Sequence, residues 1–455
     1  MIPLRQAIVI GAGVSGLTCA LRLVEMGIGV RVLEAAEKPG GMIATVERDG
    51  FLFEAGPQSF QVTPELRELI RSTGSESDLI EADPQTPRYI LLHGKLRPAP
   101  MSPPTLLSTS LLGMASKVRV LSEAFRRSKP PGHDESFADF VRRKFGTEIL
   151  EHLAGPFASG VFAGDPEQLS LRSTFPAMAQ WEEEYGSVLR GAMKSRGERE
   201  RPTLAGFRRG MGSFMSALAG KLESGVENGI RAESLDSAGE SGWTIHCSGG
   251  CSGTSETENV HASAVVIATP AYEAARLVRG FAEKLSATLA GIPYAPIAVV
   301  AEGYRREHVG HALNGFGFLV PRKEGLRTLG TVWNSSLFPN RAPEGMVMMT
   351  SFVGGAMDRQ VVEMDEGQIA DQVRREIGKV LRITGPPVAR QVWRHRKALP
   401  QYNLGHAQRI NAIRSELDQS RGIFIAGNYL EGPSIGNCIS QGFRTAKAVL
   451  EHLSR

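Results

Sequence analysis

The chain has 455 residues, and its composition of 42% hydrophobic and 22% charged residues is typical of a folded globular protein. This length exceeds what one ordinary hydrophobic core supports, so the sequence predicts two or three domains. The formal net charge of +4 is too small to indicate a nucleic-acid-binding protein. No run of 18 or more consecutive apolar residues is present, so no transmembrane helix is expected.

The cysteines argue against a disulfide framework and against a zinc site. Cys19, Cys247, Cys251 and Cys438 are scattered, and no second cysteine or histidine pair accompanies Cys247 and Cys251 at zinc spacing. Met1 leads almost directly into the first apolar run, so no signal peptide is expected. These features predict a cytoplasmic protein of a reducing compartment, with no bound metal.

Residues 7–34 predict one strand–turn–helix–strand unit. The short β-branched run 7–10 precedes the pattern Gly11-Ala12-Gly13-Val14-Ser15-Gly16, apolar residues then recur at helical spacing, and a second apolar run ends at Leu33 and Glu34. In such a unit the first glycine permits the tight turn. The second glycine admits a pyrophosphate, and the third lets the helix pack closely on the strand.

Glu34 stands where the acid that binds a ribose hydroxyl belongs in a dinucleotide-binding unit. An acid there disfavours a 2′-phosphate, so NAD or FAD is expected rather than NADP. The glycine pair Gly40 and Gly41 and the run 51–59 offer a second approach of backbone to a large flat ligand. The regular β-α repeats of a nicotinamide-binding domain do not follow, which favours FAD.

Residues 88–202 are predicted to form an inserted, mostly helical domain that begins with a hairpin-like stretch at 88–97. From Leu106 to Arg127, leucine and methionine recur at helical spacing beside lysine and arginine. One interpretation is a helical domain with its own core. The other is an amphipathic surface that docks peripherally on a membrane.

The rest of the chain predicts further strands and a C-terminal repeat of the opening arrangement. The run 264–267 reads as a buried strand, and residues 276–420 predict a sheet that covers an apolar cavity. The strand, glycine-rich loop and helix after residue 421 again place a helix N-terminus where it can face a phosphate. The sequence therefore predicts an α/β fold with a discontinuous Rossmann-like FAD-binding domain (1–87, 203–275 and 421–455), a helical insert (88–202) and a mixed-sheet substrate domain (276–420).

These features resemble the FAD-containing oxidases of the amine-oxidase superfamily, through the glycine pattern, Glu34, the pair at 40–41 and the terminal Ala426-Gly427-Asn428 loop. Within that superfamily the chain is similar to the protoporphyrinogen oxidase family. This more specific similarity covers nearly the whole chain. It rests on the segments 158–165, 315–321, 328–331, 335–341, 352–355 and 400–406.

The resemblance implies a three-domain FAD enzyme that oxidises protoporphyrinogen IX to protoporphyrin IX. Six electrons would pass to O2 with release of H2O2, and the implied protein is a homodimer held peripherally on a membrane through its helical insert. Similar proteins act instead on coproporphyrinogen III. A flavin amine oxidase, a carotenoid desaturase and a flavin-binding protein without redox activity stay open as alternatives.

Carried over by position, the resemblance implies two sets of contacts and no catalytic residue beyond the flavin. His395 and Arg396 stand where the family often has Trp-Pro, which leaves an aromatic contact to the flavin unsupported, and we expect His395 to be structural. Arg88 is expected to pair with a propionate, Phe352 to stack on a pyrrole ring, and Leu319 and Val332 to cover the opposite side, with Phe316 and Gly317 beside them. The implied cofactor contacts are Gly11, Ala12, Gly13, Val14, Ser15, Gly16, Leu33, Glu34, Gly41, Ala55, Gly56, Pro57, Gln58, Ala232, Pro433, Ser434 and Ile435.

Overall fold

A computed structural model describes residues 6–195, 203–222, 225–239, 242–249 and 258–454. Cys251 and the end of the predicted helical insert, 196–202, lie outside these ranges. The strands, numbered along the chain, are β1 (Gln6–Ile10), β2 (Gly29–Glu34), β3 (Thr45–Arg48), β4 (Phe51–Glu54), β5 (Phe60–Gln61), β6 (Leu79–Glu81), β7 (Arg88–Leu92), β8 (Lys95–Pro98), β9 (Leu204–Phe207), β10 (Val226–Asn228), β11 (Arg231–Ser237), β12 (Trp243–Ser248), β13 (Glu258–Ala262), β14 (Ala264–Ile267), β15 (Tyr294–Arg305), β16 (Gly317–Leu319), β17 (Thr328–Val332), β18 (Met346–Gly354), β19 (Ala389–Pro400) and β20 (Ile423–Ile425).

The helices are concentrated between β8 and β9 and at the two ends of the chain. One π-helical turn, Leu150–Ala154, joins two of them. They are α1 (Val14–Glu25), α2 (Pro64–Ser72), α3 (Pro103–Ser108), α4 (Met114–Glu123), α5 (Phe137–Lys144), α6 (Thr147–Ile149), α7 (Gly155–Phe162), α8 (Leu171–Thr174), α9 (Pro176–Tyr185), α10 (Val188–Lys194), α11 (Met211–Gly220), α12 (Ala271–Val278), α13 (Glu283–Ala290), α14 (Asn334–Leu337), α15 (Glu366–Leu381), α16 (His406–Asp418), α17 (Asn428–Glu431) and α18 (Ile435–Leu453).

A five-stranded parallel sheet unites three distant parts of the sequence. Its order is β10-β2-β1-β14-β20, and every neighbouring pair is parallel. The predicted strands at 7–10, 30–34 and 264–267 are confirmed, and the apolar side chains of β1 and β14 are fully buried because helices and a small sheet cover both faces. The α/β fold class is therefore confirmed, whereas the division into three domains stays a prediction.

The second large sheet has seven strands, in the order β19-β15-β18-β17-β16-β7-β8. The hairpin of β7 and β8 belongs to this sheet, because β7 runs parallel to β16 with Arg88 opposite Gly317. Assigning residues 88–98 to the helical insert was therefore wrong. The helices begin only with α3, and the sequence pattern of a single hairpin does not reveal which sheet it will join.

The two faces of the seven-stranded sheet have different roles. One face carries Ala298, Val300 and Phe318 and packs under α15, which contributes Ile369 and Val373 to the same core. Side chains alternate between faces along a strand, so Val299 and Ala301 point to the other side. That other face is partly covered by the β3–β4 hairpin and by the end of α7. We call it the cavity face.

The helices from α3 to α10 enclose their own hydrophobic core and a buried ionic cluster. Lys144 lies 2.9 Å from Glu123 and 3.1 Å from Glu182, and all three side chains are almost fully buried. The hydrogen bonds of Glu182 to Arg143, Ser128 and Lys144 outweigh burial and lower its pKa to about 2. Among the described residues, no helix is long and apolar enough to cross a bilayer.

Candidate active site

The glycine loop between β1 and α1 has the shape that a dinucleotide requires. Gly11 adopts φ +102°, a conformation that other residues rarely adopt. A Cβ on Gly16 would lie 2.0 Å from the carbonyl oxygen of Gly11, so only glycine allows this close packing. A Cβ on Gly13 would meet nothing within 4 Å, and this open space lies at the N-terminus of α1, where backbone N–H groups are free to bind an anion.

Glu34 lies directly on this loop. Its Oε2 accepts a hydrogen bond from the backbone N–H of Ala12 at 2.7 Å, and its Oε1 accepts one from Ala36 at 2.8 Å. The carbonyl oxygen of Leu33 accepts from the N–H of Gly11 at 2.8 Å, so the ends of β1 and β2 are locked together. The carboxylate is therefore fixed at the end of the strand where a ribose would lie.

The second glycine pair is folded against the first loop. The N–H of Gly40 donates to the carbonyl oxygen of Ala12 at 2.9 Å, and Gly41 lies so close to Gly13 that a Cβ on it would be 3.6 Å from the Cα of Gly13. Both Gly40 and Gly41 have positive φ angles. The two predicted approaches of backbone to ligand therefore form one continuous cradle.

The C-terminal contacts meet the N-terminal ones through two packed helices. Ser434 caps α18 by accepting a hydrogen bond from the N–H of Asn437 at 3.1 Å, so this helix begins at Ile435. Gly442 packs α18 against α1, since a Cβ there would be 2.9 Å from the carbonyl oxygen of Ser15. Pro433 precedes the cap. The N-terminus of α18 therefore belongs to a helix packed directly on α1.

Ala232 lies near the C-terminal end of β2, where Glu34 stands. The N–H of Ile230 donates to the carbonyl oxygen of Glu34 at 2.9 Å, and β11 begins at the next residue. Ala232 is buried, and its own carbonyl oxygen accepts from Arg276 at 2.6 Å. Its backbone is therefore held close to the same strand end that carries Glu34.

Residues 55–58, which follow β4, cross to the seven-stranded sheet. The carbonyl oxygen of Ala55 accepts a hydrogen bond from Nε2 of His395 at 3.0 Å, and Gly56 packs so closely on Met42 that a Cβ would be 2.2 Å from the Met42 carbonyl oxygen. Gln58 is buried and is hydrogen-bonded to Asn334 at 2.5 Å. We call residues 55–58 the bridging segment, because it connects the dinucleotide cradle to the cavity face.

The predicted substrate residues share the cavity face. Cross-strand pairing places Leu319 opposite Gly330, Gly330 opposite Phe352, and Phe352 opposite Val299, and directly paired residues point to the same side. The next row on the same side runs through Arg88, Gly317, Val332 and Thr350. The structure thus brings together Arg88, Leu319, Val332 and Phe352 beside the bridging segment.

Glycines leave an apolar notch between two of these side chains. Gly330 separates Leu319 from Phe352 and contributes no side chain, and a Cβ on Gly160 of α7 would be only 2.6 Å from Leu319. Leu319, Val332 and Phe352 are only half-buried, so each retains a surface that a ligand can contact. Flat apolar ligands suit such a site.

Arg88 supplies a cation at the edge of the notch. Its guanidinium lies 5.3 Å from the centre of the Phe316 ring, a cation–π contact that orients it. In the described part of the chain no carboxylate pairs with Arg88. An arginine held by an aromatic ring but without an acid is suited to bind a carboxylate of a ligand through two parallel hydrogen bonds.

Comparison with known proteins agrees with this geometry. A family model described as flavin-containing amine oxidoreductase matches residues 14–450. The chain belongs to this family. It is 34% identical to the chloroplastic protoporphyrinogen oxidase of Oryza sativa subsp. japonica, covering 99% of this chain and 89% of the rice protein. It is 29% identical to the coproporphyrinogen III oxidase of Bacillus subtilis, covering 99% and 98% of the two chains.

Solved structures show the same fold at lower identity. A crystal structure from Exiguobacterium, provisionally named a protoporphyrinogen oxidase, has a TM-score of 0.83 at 23% identity and covers 99% of both chains. A reduced UDP-galactopyranose mutase has a TM-score of 0.75 at 19% identity, covering 98% of this chain and 96% of its own.

The cofactor of this family member is FAD, and the cradle fits it. The open space at Gly13, the positive φ of Gly11 and Gly41, and the fixed carboxylate of Glu34 provide for a pyrophosphate and a ribose. The bridging segment continues from this cradle towards the cavity face. Membership of the family confirms the expectation of FAD, and the roles given to individual residues stay predictions.

Several buried residues at this junction were missed by sequence reasoning. Glu54 accepts hydrogen bonds from Thr45 and from the N–H of Met211, while its burial raises the pKa of the carboxyl group. Arg341 is fully buried and donates to the carbonyl oxygen of Phe207 at 2.9 Å. Asn334 begins α14, two residues after the end of β17, and no local sequence pattern marked it.

His395 occupies the cavity face, as the pairing of Ile297 with His395 requires. Its Nε2 must carry the proton, because the Ala55 carbonyl can only accept a hydrogen bond. Burial lowers the pKa of His395, so the ring is neutral at physiological pH. This contact connects β19 to the segment after β4, and the expectation that His395 is structural stays a prediction.

Proposed function

We propose that the protein is a porphyrinogen oxidase that converts protoporphyrinogen IX to protoporphyrin IX, with O2 as the final electron acceptor and H2O2 as the by-product. The observation that carries this proposal is the single cavity face on which Arg88, Leu319, Val332 and Phe352 lie beside the bridging segment. The 34% identity to the rice protoporphyrinogen oxidase over 99% of this chain supports it.

The chemistry of the substrate matches that of the cavity. A porphyrinogen is a flexible apolar macrocycle with carboxylate side chains, so its site needs mostly apolar walls and few polar anchors. Bound FAD supplies the acceptor for the hydride that leaves a methylene bridge. Leu319 and Phe352 hold a pyrrole ring between them, Val332 covers the adjacent edge, and Arg88 binds a propionate at the rim.

The residues of the chain position the substrate and exclude water in this proposal. Among the described residues of the cavity face we assign no general base, and the pyrrole proton is released to solvent. The apolar walls surround the ring, and the arginine at the rim adds affinity by binding a carboxylate of the macrocycle.

Coproporphyrinogen III is a second candidate substrate. The 29% identity to the Bacillus subtilis coproporphyrinogen III oxidase, which covers 98% of that protein, favours it. The two substrates share the macrocycle and differ in the number of carboxylates, four against two. The higher identity to the rice protoporphyrinogen oxidase, 34% against 29%, favours the substrate with two carboxylates.

Parallel assays of the purified protein on the two porphyrinogens test the proposal. Porphyrin fluorescence reports the product, and a peroxide-specific assay reports H2O2. We expect a higher kcat/KM for protoporphyrinogen IX and one peroxide for each two electrons removed. Equal or higher kcat/KM for coproporphyrinogen III would transfer the assignment to that substrate, and no porphyrin from either would refute both.

We further propose that α4 docks on a membrane surface, which would make the protein peripheral on the cytoplasmic side. Met114, Val118, Leu121 and Phe125 recur at helical spacing, and their exposed fractions are 72%, 60%, 40% and 83%. Arg126 and Arg127 follow directly and are exposed, which suits anionic lipid head groups.

Flotation with anionic phospholipid vesicles tests the α4 proposal. The wild-type protein is expected to float, whereas the double substitution Val118→Ser with Phe125→Ser should leave it in the soluble fraction. The matched control is Val388→Ser, an exposed valine that directly precedes β19 and lies outside the helical insert. A wild-type protein that never floats would refute membrane docking.

A further inference from the structure

The bridging segment is attached to the cavity face at both of its ends. At one end Ala55 accepts a hydrogen bond from His395 on β19. At the other end Gln58 bonds to Asn334, which lies two residues after the end of β17. Strands β15 and β18 lie between β19 and β17 in the sheet, so the segment crosses four neighbouring strands.

The hydrogen bonds at the Gln58 end can run in only one direction. Nε2 of Gln58 donates to the carbonyl oxygens of Gly56 at 2.8 Å and of Glu54 at 3.3 Å, and carbonyl oxygens only accept. Oε1 of Gln58 must therefore face Asn334, whose Nδ2 donates to it at 2.5 Å. That orientation turns Oδ1 of Asn334 towards Thr350, whose hydroxyl group donates at 2.9 Å.

Burial makes each of these bonds necessary. Gln58, Asn334 and Thr350 are 6%, 1% and 0% exposed, so water cannot replace a lost partner. Removing one donor would leave a buried acceptor without a hydrogen bond, and the neighbouring amide would be free to rotate. The chain of bonds from Thr350 through Asn334 to Gln58 therefore determines how the Gln58 amide and its backbone are held.

The relay lies on and beside β17 and β18, the two strands that carry the proposed substrate contacts Val332 and Phe352. Thr350 lies two residues before Phe352 on β18, and Asn334 lies two residues after Val332, the last residue of β17. Thr350 and Val332 are also paired across the two strands. A displacement of the substrate wall would therefore be transmitted to the bridging segment through this relay.

We propose that Asn334 and Thr350 are positioning residues that hold the bridging segment against the flavin and couple it to the substrate wall. The proposal rests on the assignment of residues 55–58 to the flavin. Neither residue needs to touch the substrate, because each acts through Gln58. The relay gives the enzyme one rigid unit that contains both the cofactor loop and the residues that hold the macrocycle.

Substitutions of Thr350 distinguish a hydrogen-bond role of this residue from a role in packing alone. Thr350→Val keeps the shape but removes the hydroxyl group, whereas Thr350→Ser keeps the hydroxyl group. We expect Thr350→Val to weaken FAD binding to the apoprotein about tenfold, as loss of one buried hydrogen bond predicts, and Thr350→Ser to stay within about twofold of wild type. Fluorescence titration with FAD measures the affinity, and visible circular dichroism of the bound flavin reports its surroundings.

Ser335→Ala provides the matched control. Ser335 lies beside Asn334 in the same short helix, and its hydroxyl oxygen accepts from the N–H of Met348 on β18 at 3.0 Å without contacting the bridging segment. This substitution should leave FAD affinity and flavin circular dichroism unchanged. If Thr350→Val does not fold, Asn334→Leu, which keeps similar branching and removes both the amide donor and the amide acceptor, takes its place.

The outcomes distinguish this inference from the proposed function. A wild-type protein that binds FAD but oxidises no porphyrinogen would refute the proposed substrate, while the altered flavin signal of Thr350→Val would still support the relay. Wild-type FAD affinity and flavin circular dichroism in both Thr350→Val and Asn334→Leu would overturn the relay. If Thr350→Ser also weakens FAD binding and changes the flavin circular dichroism, the relay is overturned as well. Its hydroxyl group should preserve the hydrogen bond to Asn334.

Discussion

Arg88→Ala removes a cation of the cavity face for which the described residues provide no acid partner. The guanidinium is exposed and held above Phe316, so its loss creates no cavity and should change the free energy of unfolding by less than about 0.5 kcal/mol. The substrate loses its charged anchor instead. The variant should therefore fold, bind FAD and show a defect confined to the porphyrinogen.

The size of this defect follows from the kind of contact. A hydrogen bond to a charged group contributes about 1.5–3 kcal/mol, and the exposure of Arg88 places the value near the lower limit because solvent screens the pair. An energy of about 1.5 kcal/mol corresponds to roughly a tenfold rise in KM. Because the anchor lies at the rim, kcat should change much less than KM.

Steady-state kinetics followed by porphyrin fluorescence test this prediction. Arg88→Lys should fall between wild type and Arg88→Ala, since lysine keeps the charge but loses the two-pronged geometry. Arg375→Ala is the control, because Arg375 is exposed on α15, on the opposite side of the seven-stranded sheet. An unchanged KM in Arg88→Ala would refute the proposed carboxylate contact.

Three further predictions concern the cofactor, the notch and the pH dependence of stability. Glu34→Ala should weaken FAD binding about tenfold or more in a fluorescence titration, because the ribose loses its charged acceptor, whereas Glu37→Ala, an exposed acid nearby, should not. Phe352→Ala should raise KM several-fold, because about 1–2 kcal/mol of apolar contact with the substrate is removed. Phe352→Leu should raise KM less. Equal KM values in wild type, Phe352→Ala and Phe352→Leu would contradict the stacking role. Burial lowers the pKa of His406 from 6.5 to about 4, so the unfolded chain binds a proton that the folded chain does not. The free energy of unfolding should therefore fall by about 3 kcal/mol between pH 6.5 and pH 4 on account of His406, and urea titrations should show a shallower fall in His406→Gln.

The cradle could be predicted because its geometry is local in sequence. Gly11, Gly13 and Gly16 belong to one turn, and Glu34 ends the next strand, so spacing alone places them together. Their conformations in the structure agree with the roles assigned to them. The buried strand at 264–267 was predictable for a related reason, since a continuous apolar run indicates burial on both faces.

The long-range arrangement could not be derived from residue patterns. Arg88 reaches the cavity only because β7 joins β16, more than two hundred residues away in the sequence, and no local pattern specifies that pairing. The partners of Gln58 are equally distant, because Asn334 is separated from it by 276 positions. Hydrogen bonds between such residues depend on tertiary packing, which periodicity and turn signals do not encode.

Anaerobic mixing of the purified holoprotein with protoporphyrinogen IX tests the central claim most directly. The visible absorbance of the oxidised flavin should bleach on mixing, and admission of O2 should restore it with the appearance of porphyrin fluorescence. A simple amine such as putrescine should cause no bleaching. A flavin that stays oxidised with the porphyrinogen, or that is bleached by the amine instead, would contradict the assignment.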